Sequence, residues 1–383
     1  MAQNVINAPT GAVQGGAVEM KSEIWILGAT GRSGREVAAR LDAARVPLVL
    51  LGRSPERLAA LSAALGDRHR IVVGSLASNL AALADDPPGV VVNTVGPFAT
   101  TGLQVARACP PGTHYVDIAN EFGAVDDILR LDRQAAAAGQ VLVTGAGFGV
   151  LATESVVLRL CEHRPRPSHL RVDALASVAL EEGAVGAALA GSIVEVLEFG
   201  GREVQQGRLV RSANASHPMH LVTPDGDALF TASGANGELL AAWRASDADT
   251  VIAASTTVPA NLFVRRVGVP VLSGLVRIPG VSRLLSRQIA RFTFRTAPMA
   301  RQFSWAHARA EWPDGTSGEG WLRVGDGSTF TADVMAEVAH RLLQGEGRPG
   351  AHTPGALFGP ELVEALGGRF SITESRPAGD EVR

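Results

Sequence analysis

The stretch Gly28-Ala29-Thr30-Gly31-Arg32-Ser33-Gly34 combines the residue types that let a backbone come close to an anion. Before it, the apolar run Ile24 to Leu27 reads as a strand; after it, Ser33 to Ala44 carries Val37, Ala38 and Leu41 at helical spacing. A strand, a glycine turn and a helix N-terminus together offer unpaired N–H groups and partial positive charge. Gly28, Gly31 and Gly34 would therefore admit a pyrophosphate, with Thr30, Arg32 and Ser33 adding side-chain bonds. The alternative is a tight strand-to-helix turn that binds nothing. The next apolar run, Pro47 to Leu51, ends in Gly52-Arg53-Ser54, with no acid to accept ribose hydroxyls. An arginine there fits a 2′-phosphate through two charge-assisted bonds, which selects NADPH over NADH. The other reading of Arg53 is a solvated residue at a strand end.

Further polar groups collect where later strands should end. Asn93-Thr94-Val95-Gly96-Pro97-Phe98 closes a fourth strand, Val90 to Val95, and places Asn93, Gly96, Pro97 and Phe98 toward the nicotinamide ribose. Thr113 to Glu121 closes a fifth. Tyr115 and Asp117 lie two apart and share a strand face, with Asn120 and Glu121 just beyond. Tyr115, Asp117 and Glu121 are the candidate general acids and Asn120 a cofactor contact. Against this, Tyr115 would equally serve as core and Asp117 as a partner for nearby backbone. Gly145-Ala146-Gly147-Phe148-Gly149 is a second glycine cluster between strand and helix, and chain order favours the first for the cofactor.

These motifs carry a resemblance. The turn from Gly28 to Gly34, the Gly52-Arg53-Ser54 step, Asn93 to Phe98 and His114-Tyr115-Val116-Asp117 resemble the NADP-binding half of saccharopine dehydrogenase-like proteins, in particular the trans-acting enoyl reductase branch. Gly200 to Leu209 and Thr353 to Pro360 are similar to that branch too, so the likeness spans most of the chain. It implies an NADPH-dependent reductase acting on a conjugated C=C of a small or acyl-carrier-bound substrate, with saccharopine-type C=N or C=O reduction as the second reading. It also implies that Phe148 stands beside the nicotinamide as a substrate contact, unless its loop is only a hinge. Where the family carries an acid after the third strand this chain has Ser75, taken as a cofactor contact. A reading from a different class is a dinucleotide-binding interaction protein without turnover.

The elements that must position these groups alternate short apolar runs with helical stretches from Glu23 to Thr144, the pattern of a parallel sheet covered on both faces. Beyond Gly149 the rhythm changes. Leu170 to Leu180 reads as a long strand, Ala187 to Phe199 as a helix and Arg202 to Val210 as a return strand. Trp305 to Trp312 and Gly320 to Val324 read as a hairpin around Asp314-Gly315. The expected fold class is α/β: a Rossmann-type doubly wound parallel sheet with a second α+β domain on a largely antiparallel sheet. The expected domains are a disordered tail at 1–20, a dinucleotide domain at 21–150 and a substrate or dimerisation domain at 151–330, through which a homodimer could form. Helices at 331–370 pack back on the first domain, and 371–383 form a tail.

Composition closes other routes. Lys21 is the only lysine and Tyr115 the only tyrosine, which excludes a Walker-type lysine, a Tyr-x-x-x-Lys pair and a Schiff-base lysine. A net charge of -3 argues against nucleic acid as a partner. Cys109 and Cys161, far apart, suit reduced thiols in the cytoplasm, and no metal site is expected, His217-Pro218-Met219-His220 lacking further ligands. No leader peptide or membrane span is expected. One local exception stands out: from Asn261 to Gln302 there are eight arginines and no acid, with Arg283, Arg287, Arg291 and Arg295 recurring every fourth residue. On a helix they form one positive stripe, suited to an acidic carrier protein, a substrate phosphate, peripheral contact with an anionic membrane or merely water.

Overall fold

A computed structural model describes residues 21–375 apart from 180–182, 185, 258–260, 262, 264–266, 277 and 279. The expected N-terminal tail and the last eight residues of the expected C-terminal tail lie outside the described residues.

In chain order the first domain comprises β1 (Lys21–Leu27), α1 (Arg32–Ala43), β2 (Leu48–Gly52), α2 (Pro55–Ala64), β3 (Arg70–Val73), α3 (Leu76–Asp85), β4 (Pro88–Asn93), α4 (Phe98–Ala108), β5 (His114–Asp117), α5 (Phe122–Leu129), α6 (Asp132–Ala137), β6 (Val141–Val143) and α7 (Phe148–Leu160). The second adds β7 (His169–Leu175), β8 (Gly183–Ala184), α8 (Gly186–Phe199), β9 (Gly201–Gln205), β10 (Arg208–Ser212), β11 (Met219–Val222), β12 (Ala228–Ser233), α9 (Gly237–Ser246), β13 (Thr250–Ser255), α10 (Val269–Leu275), α11 (Val281–Arg291), β14 (Thr293–Phe294), β15 (Ser304–Glu311) and β16 (Ser317–Val324). The chain ends with α12 (Gly327–Leu343), β17 (Gly350–His352), α13 (Pro354–Phe358), α14 (Glu361–Ala365) and β18 (Arg369–Ser375).

Ile24 and Ile26 point to one side of β1 and Trp25 and Leu27 to the other, all buried. A strand apolar on both faces belongs inside a doubly covered sheet. The sheet runs β17-β6-β5-β4-β1-β2-β3, all parallel, so strand order reverses between β1 and β4 and opens a crevice at their carboxyl ends. On one face α3, α4, α5 and α6 pack over Trp25, Leu27, Val49 and Tyr115; on the other α1 and α12 pack over Ile24, Ile26, Val90 and Val92. This is the doubly wound fold expected, enlarged by a seventh strand from the C-terminal segment.

The second sheet runs β10-β9-β13-β7-β15-β16-β18, with the β11–β12 hairpin attached to β13. It is antiparallel except for β7 beside β13. Three readings need correction. The strand expected over Leu170 to Leu180 stops at Leu175. The single strand expected over Arg202 to Val210 is a hairpin, because Gln206 and Gly207 take positive φ of 51° and 66° and turn the chain back. Nor is 371–383 wholly a tail: residues 369–375 pair with β16 and close the edge of this sheet. Among the described residues no helix is long and apolar enough to cross a membrane.

Candidate functional site

At the crevice, Gly28 holds φ at +79°, and a Cβ there would stand 2.8 Å from Thr94 Oγ1. A Cβ on Gly34 would fall on the Gly28 carbonyl oxygen, so these two glycines let the turn close against β4 and α1. Gly31 is exposed at the N-cap of α1 and no side chain caps that end. The first N–H groups of α1 are therefore open to an anion. Arg35 and Arg57 donate to the Thr30 carbonyl at 3.1 and 2.9 Å, while Arg32 and Arg53 are exposed on the same rim. Neither Arg32 nor Arg53 is paired with an acid among the described residues. Arg57 was not singled out from sequence, although its place one helical turn beyond Arg53 was a usable signal. An uncapped helix end, a backbone turn too tight for side chains and unneutralised arginines fit a dinucleotide diphosphate.

Several expected cofactor contacts have other occupations. Ser54 caps α2, accepting from the Arg57 amide at 3.3 Å, and donates to Glu56 at 2.8 Å. Ser75 likewise caps α3, accepting from the Ser78 amide at 3.2 Å. Asn93 is buried, accepts from the Val95 amide at 3.0 Å and donates to Tyr115 Oη at 3.2 Å, which shapes the β4 turn. The Gly96-Pro97 peptide is cis, Pro97 caps α4 and α8 closes over it, Gly191 lying against the proline ring. Phe98 is half-buried against the core.

The candidate acids divide. Tyr115 and Asp117 are fully buried. Tyr115 donates to Asp117 Oδ2 at 2.8 Å, and Asp117 Oδ1 accepts from the amides of Ala119 and Gly145 and from Thr144 Oγ1 at 2.9, 3.1 and 2.9 Å. Burial raises both groups, Tyr115 being pushed further by the Asp117 charge. Their polar atoms join β5 to the loop after β6, the arrangement of core and strand clamp. Phe148 is only 6% exposed and packs edge-on against Phe330, with its amide donating to Thr331 Oγ1. The second glycine cluster is thus closed by protein.

Just past β5 the surroundings differ. Asn120 is exposed, donates to Glu238 Oε1 at 3.3 Å and gives its amide to Glu121 Oε2 at 3.1 Å. Glu121 is buried and bridges in β fashion to Asn236. Asn236 lines a cavity of about 610 Å³ whose walls are mostly apolar, built by Val196 and Leu197 of α8, Ala215, and Val269, Leu272 and Leu275 of α10, with Asn214, Ser233 and Thr257 as its other polar side chains. Two carboxyls missed from sequence flank this junction. Glu195, next to Val196, is pushed up to about 7 by burial and then by the charges of Glu121, Glu198 and Asp127. Glu238 is pushed up to about 7 by burial. In each, Oε2 is buried without a hydrogen-bond partner. Nothing in their local sequence marks them, because the second domain brings them in from remote positions.

No family model matches the chain. A trans-acting enoyl reductase of Mycobacterium leprae is 33% identical over 147 residues, 36% of this chain and 35% of that protein. Another, of Mycobacterium ulcerans, is 34% identical over 149 residues, 36% of this chain and 35% of that protein. The chain thus spans about a third of the length of these curated relatives. In fold it is similar to apo saccharopine dehydrogenase (L-Glu forming) of Saccharomyces cerevisiae, with a TM-score of 0.59 at 13% identity, covering 92% of this chain and 100% of that one. The resemblance read from the motifs stands: trans-acting enoyl reductases in sequence, saccharopine dehydrogenase in fold.

Proposed function

We propose that this chain is an NADPH-dependent oxidoreductase that reduces a conjugated C=C of an apolar acyl substrate, free or carrier-bound. The observation that carries the reading is the rim of Arg32, Arg53 and Arg57 at the uncapped start of α1, together with an apolar cavity whose lining residue Asn236 bridges to Glu121, just past the end of β5. Amides of the Gly28–Gly34 turn would hold the pyrophosphate and Arg53 the 2′-phosphate. Bound there, the nicotinamide supplies the hydride. The chain's own work is to orient the substrate in the cavity, exclude water with α8 and α10, and hand over a proton. Glu195 is our candidate proton donor: it precedes Val196 of the cavity lining in α8, its free oxygen is buried, and its raised value keeps a large protonated fraction near neutrality. Glu238 holds Asn120, which projects at the crevice, and so acts as a positioning residue. The free thiols Cys109 and Cys161 suit a cytoplasmic setting.

The names of the similar Mycobacterium proteins support C=C as the reduced bond. Stopped-flow oxidation of NADPH with a panel of α,β-unsaturated acyl thioesters, imines and ketones tests the reading. Turnover with the thioesters alone is expected. Turnover with imines instead would replace the bond assigned, and NADPH binding without consumption by any of them would leave only an interaction protein.

A further inference from the structure

The helices α10 and α11 carry an outward surface unlike the rest of the molecule. Of twelve large hydrophobic residues exposed among the described residues, seven lie between Phe263 and Phe292. The outward side of α10 is Pro270, Val271, Gly274 and Leu275, with no charged group. On α11, which packs on α8, the half-buried side is Val281, Leu285 and Ile289, while Arg283, Arg287 and Arg291 face outward beside Leu284 and Phe292, 60% and 68% exposed. The stretch from Asn261 to Gln302 contains no Asp or Glu, in a chain whose net charge is -3. A merely solvated helix face mixes both signs of charge and keeps its bulky apolar groups inside. An acidic carrier protein would answer the arginines but leave the apolar side of α10 in water. Phosphate headgroups with acyl chains beneath them answer both, since cations sit among the headgroups and Phe and Leu reach the acyl boundary. Val271 and Leu275 are exposed here and also line the 610 Å³ cavity, so the wall of that cavity belongs to this surface.

We propose that the α10–α11 surface seats the protein on an anionic phospholipid bilayer, with the mouth of the cavity turned to the lipid. The seating does not depend on the reductase reading; the further step, that an apolar acyl substrate reaches the cavity from the membrane, rests on it. The test is flotation of the full chain with vesicles of phosphatidylcholine, alone or with about a third phosphatidylglycerol, at low salt and at salt high enough to screen exposed charge. Binding to the anionic vesicles only, weakened by salt, is expected. Arg283→Glu/Arg287→Glu/Arg291→Glu should lower the partition coefficient on the order of a hundredfold. Leu284→Ser/Phe292→Ser should lower it roughly tenfold while keeping the salt dependence. Both variants should melt at the parent temperature and bind NADPH as the parent does, because α11 touches neither the turn nor the arginine rim. Equal binding to neutral and anionic vesicles, no binding, a charge-reversed variant that floats like the parent, or capture by an acidic carrier protein with vesicles ignored would each overturn the proposal. Vesicle binding without NADPH turnover would instead leave the seating intact and remove the reductase reading.

Discussion

Arg53 is worth a measurement of its own, because it decides between two cofactors. Exposed and unpaired with acid, it should contribute to NADPH affinity through bonds to a charged group, so Arg53→Ala should weaken NADPH by about 1.5–3 kcal/mol and leave NADH unchanged in a calorimetric titration. Equal losses for both cofactors would return Arg53 to the solvent. Glu195 makes a pH prediction. A donor must be protonated, and with its value near 7 the protonated fraction falls as pH rises, so the rate of a single turnover should decline from pH 6 to about 8. Glu195→Gln should be slower and flat across that range; an unchanged profile would acquit the residue. Tyr115→Phe should keep the rate yet cost about 1–3 kcal/mol in a urea titration, since Asp117 then loses a buried donor. These contrasts mark what was legible. The turn and Arg53 are local: type, spacing and position on a strand end state their chemistry. Glu195 and Glu238 acquire theirs from burial by distant segments, which no neighbouring residue announces.

Among the elements, α1 and the β7–β15–β16 layer behave differently under perturbation. Gly34→Ala would drive a methyl into the Gly28 carbonyl, so the turn must open: both thermal stability and nucleotide binding should fall together, whereas loosening the β11–β12 hairpin should spare binding. In the second sheet, His307 of β15 lies between Asp173 of β7 at 3.1 Å and Glu319 of β16 at 3.1 Å, under Trp321. Burial alone would lower His307, but its bonds to the two carboxylates outweigh that and raise it above its ordinary 6.5. Burial likewise opposes Asp173, yet His307 and Arg171 hold it below its ordinary 3.8. The histidine's share of stability is therefore complete below pH 6.5 and lost as pH rises through the folded value. The aspartate's is complete above 3.8 and lost as pH falls through its own lowered value. Urea midpoints should fall on the acid side as Asp173 is protonated and again as pH rises, where Glu195 and Glu238, raised from 4.5 to about 7, also lose stability on ionising; His307→Gln should make that second decline shallower. The parallel sheet was legible because its strands are short, apolar on both faces and punctuated by turn residues. The hairpin at Gln206-Gly207 was not, since a glutamine at positive φ is dictated by its pairing partners rather than by its own preference.

At the scale of the molecule, the two sheets share one core. A single apolar cluster runs from Ile24 and Val92 through Val156 of α7 and Ala308 of β15 to Leu362 of α14. Heat should therefore unfold both domains in one transition, with far-UV dichroism and tryptophan fluorescence superimposing; two separated steps would show that the shared cluster does not couple them. The C-terminal segment explains the coupling, for it gives α12 to one face of the first sheet, β17 to its edge and β18 to the edge of the second. That threading also bears on synthesis. As the chain leaves the ribosome, β1 to β6 emerge first, but the helix covering Ile24 and Val90 arrives roughly 200 residues later, on the order of ten to forty seconds at ordinary elongation rates. Through that interval the nascent protein carries a sheet face that α1 covers only in part, so its yield in a cell should follow the supply of chaperones that shield such a face.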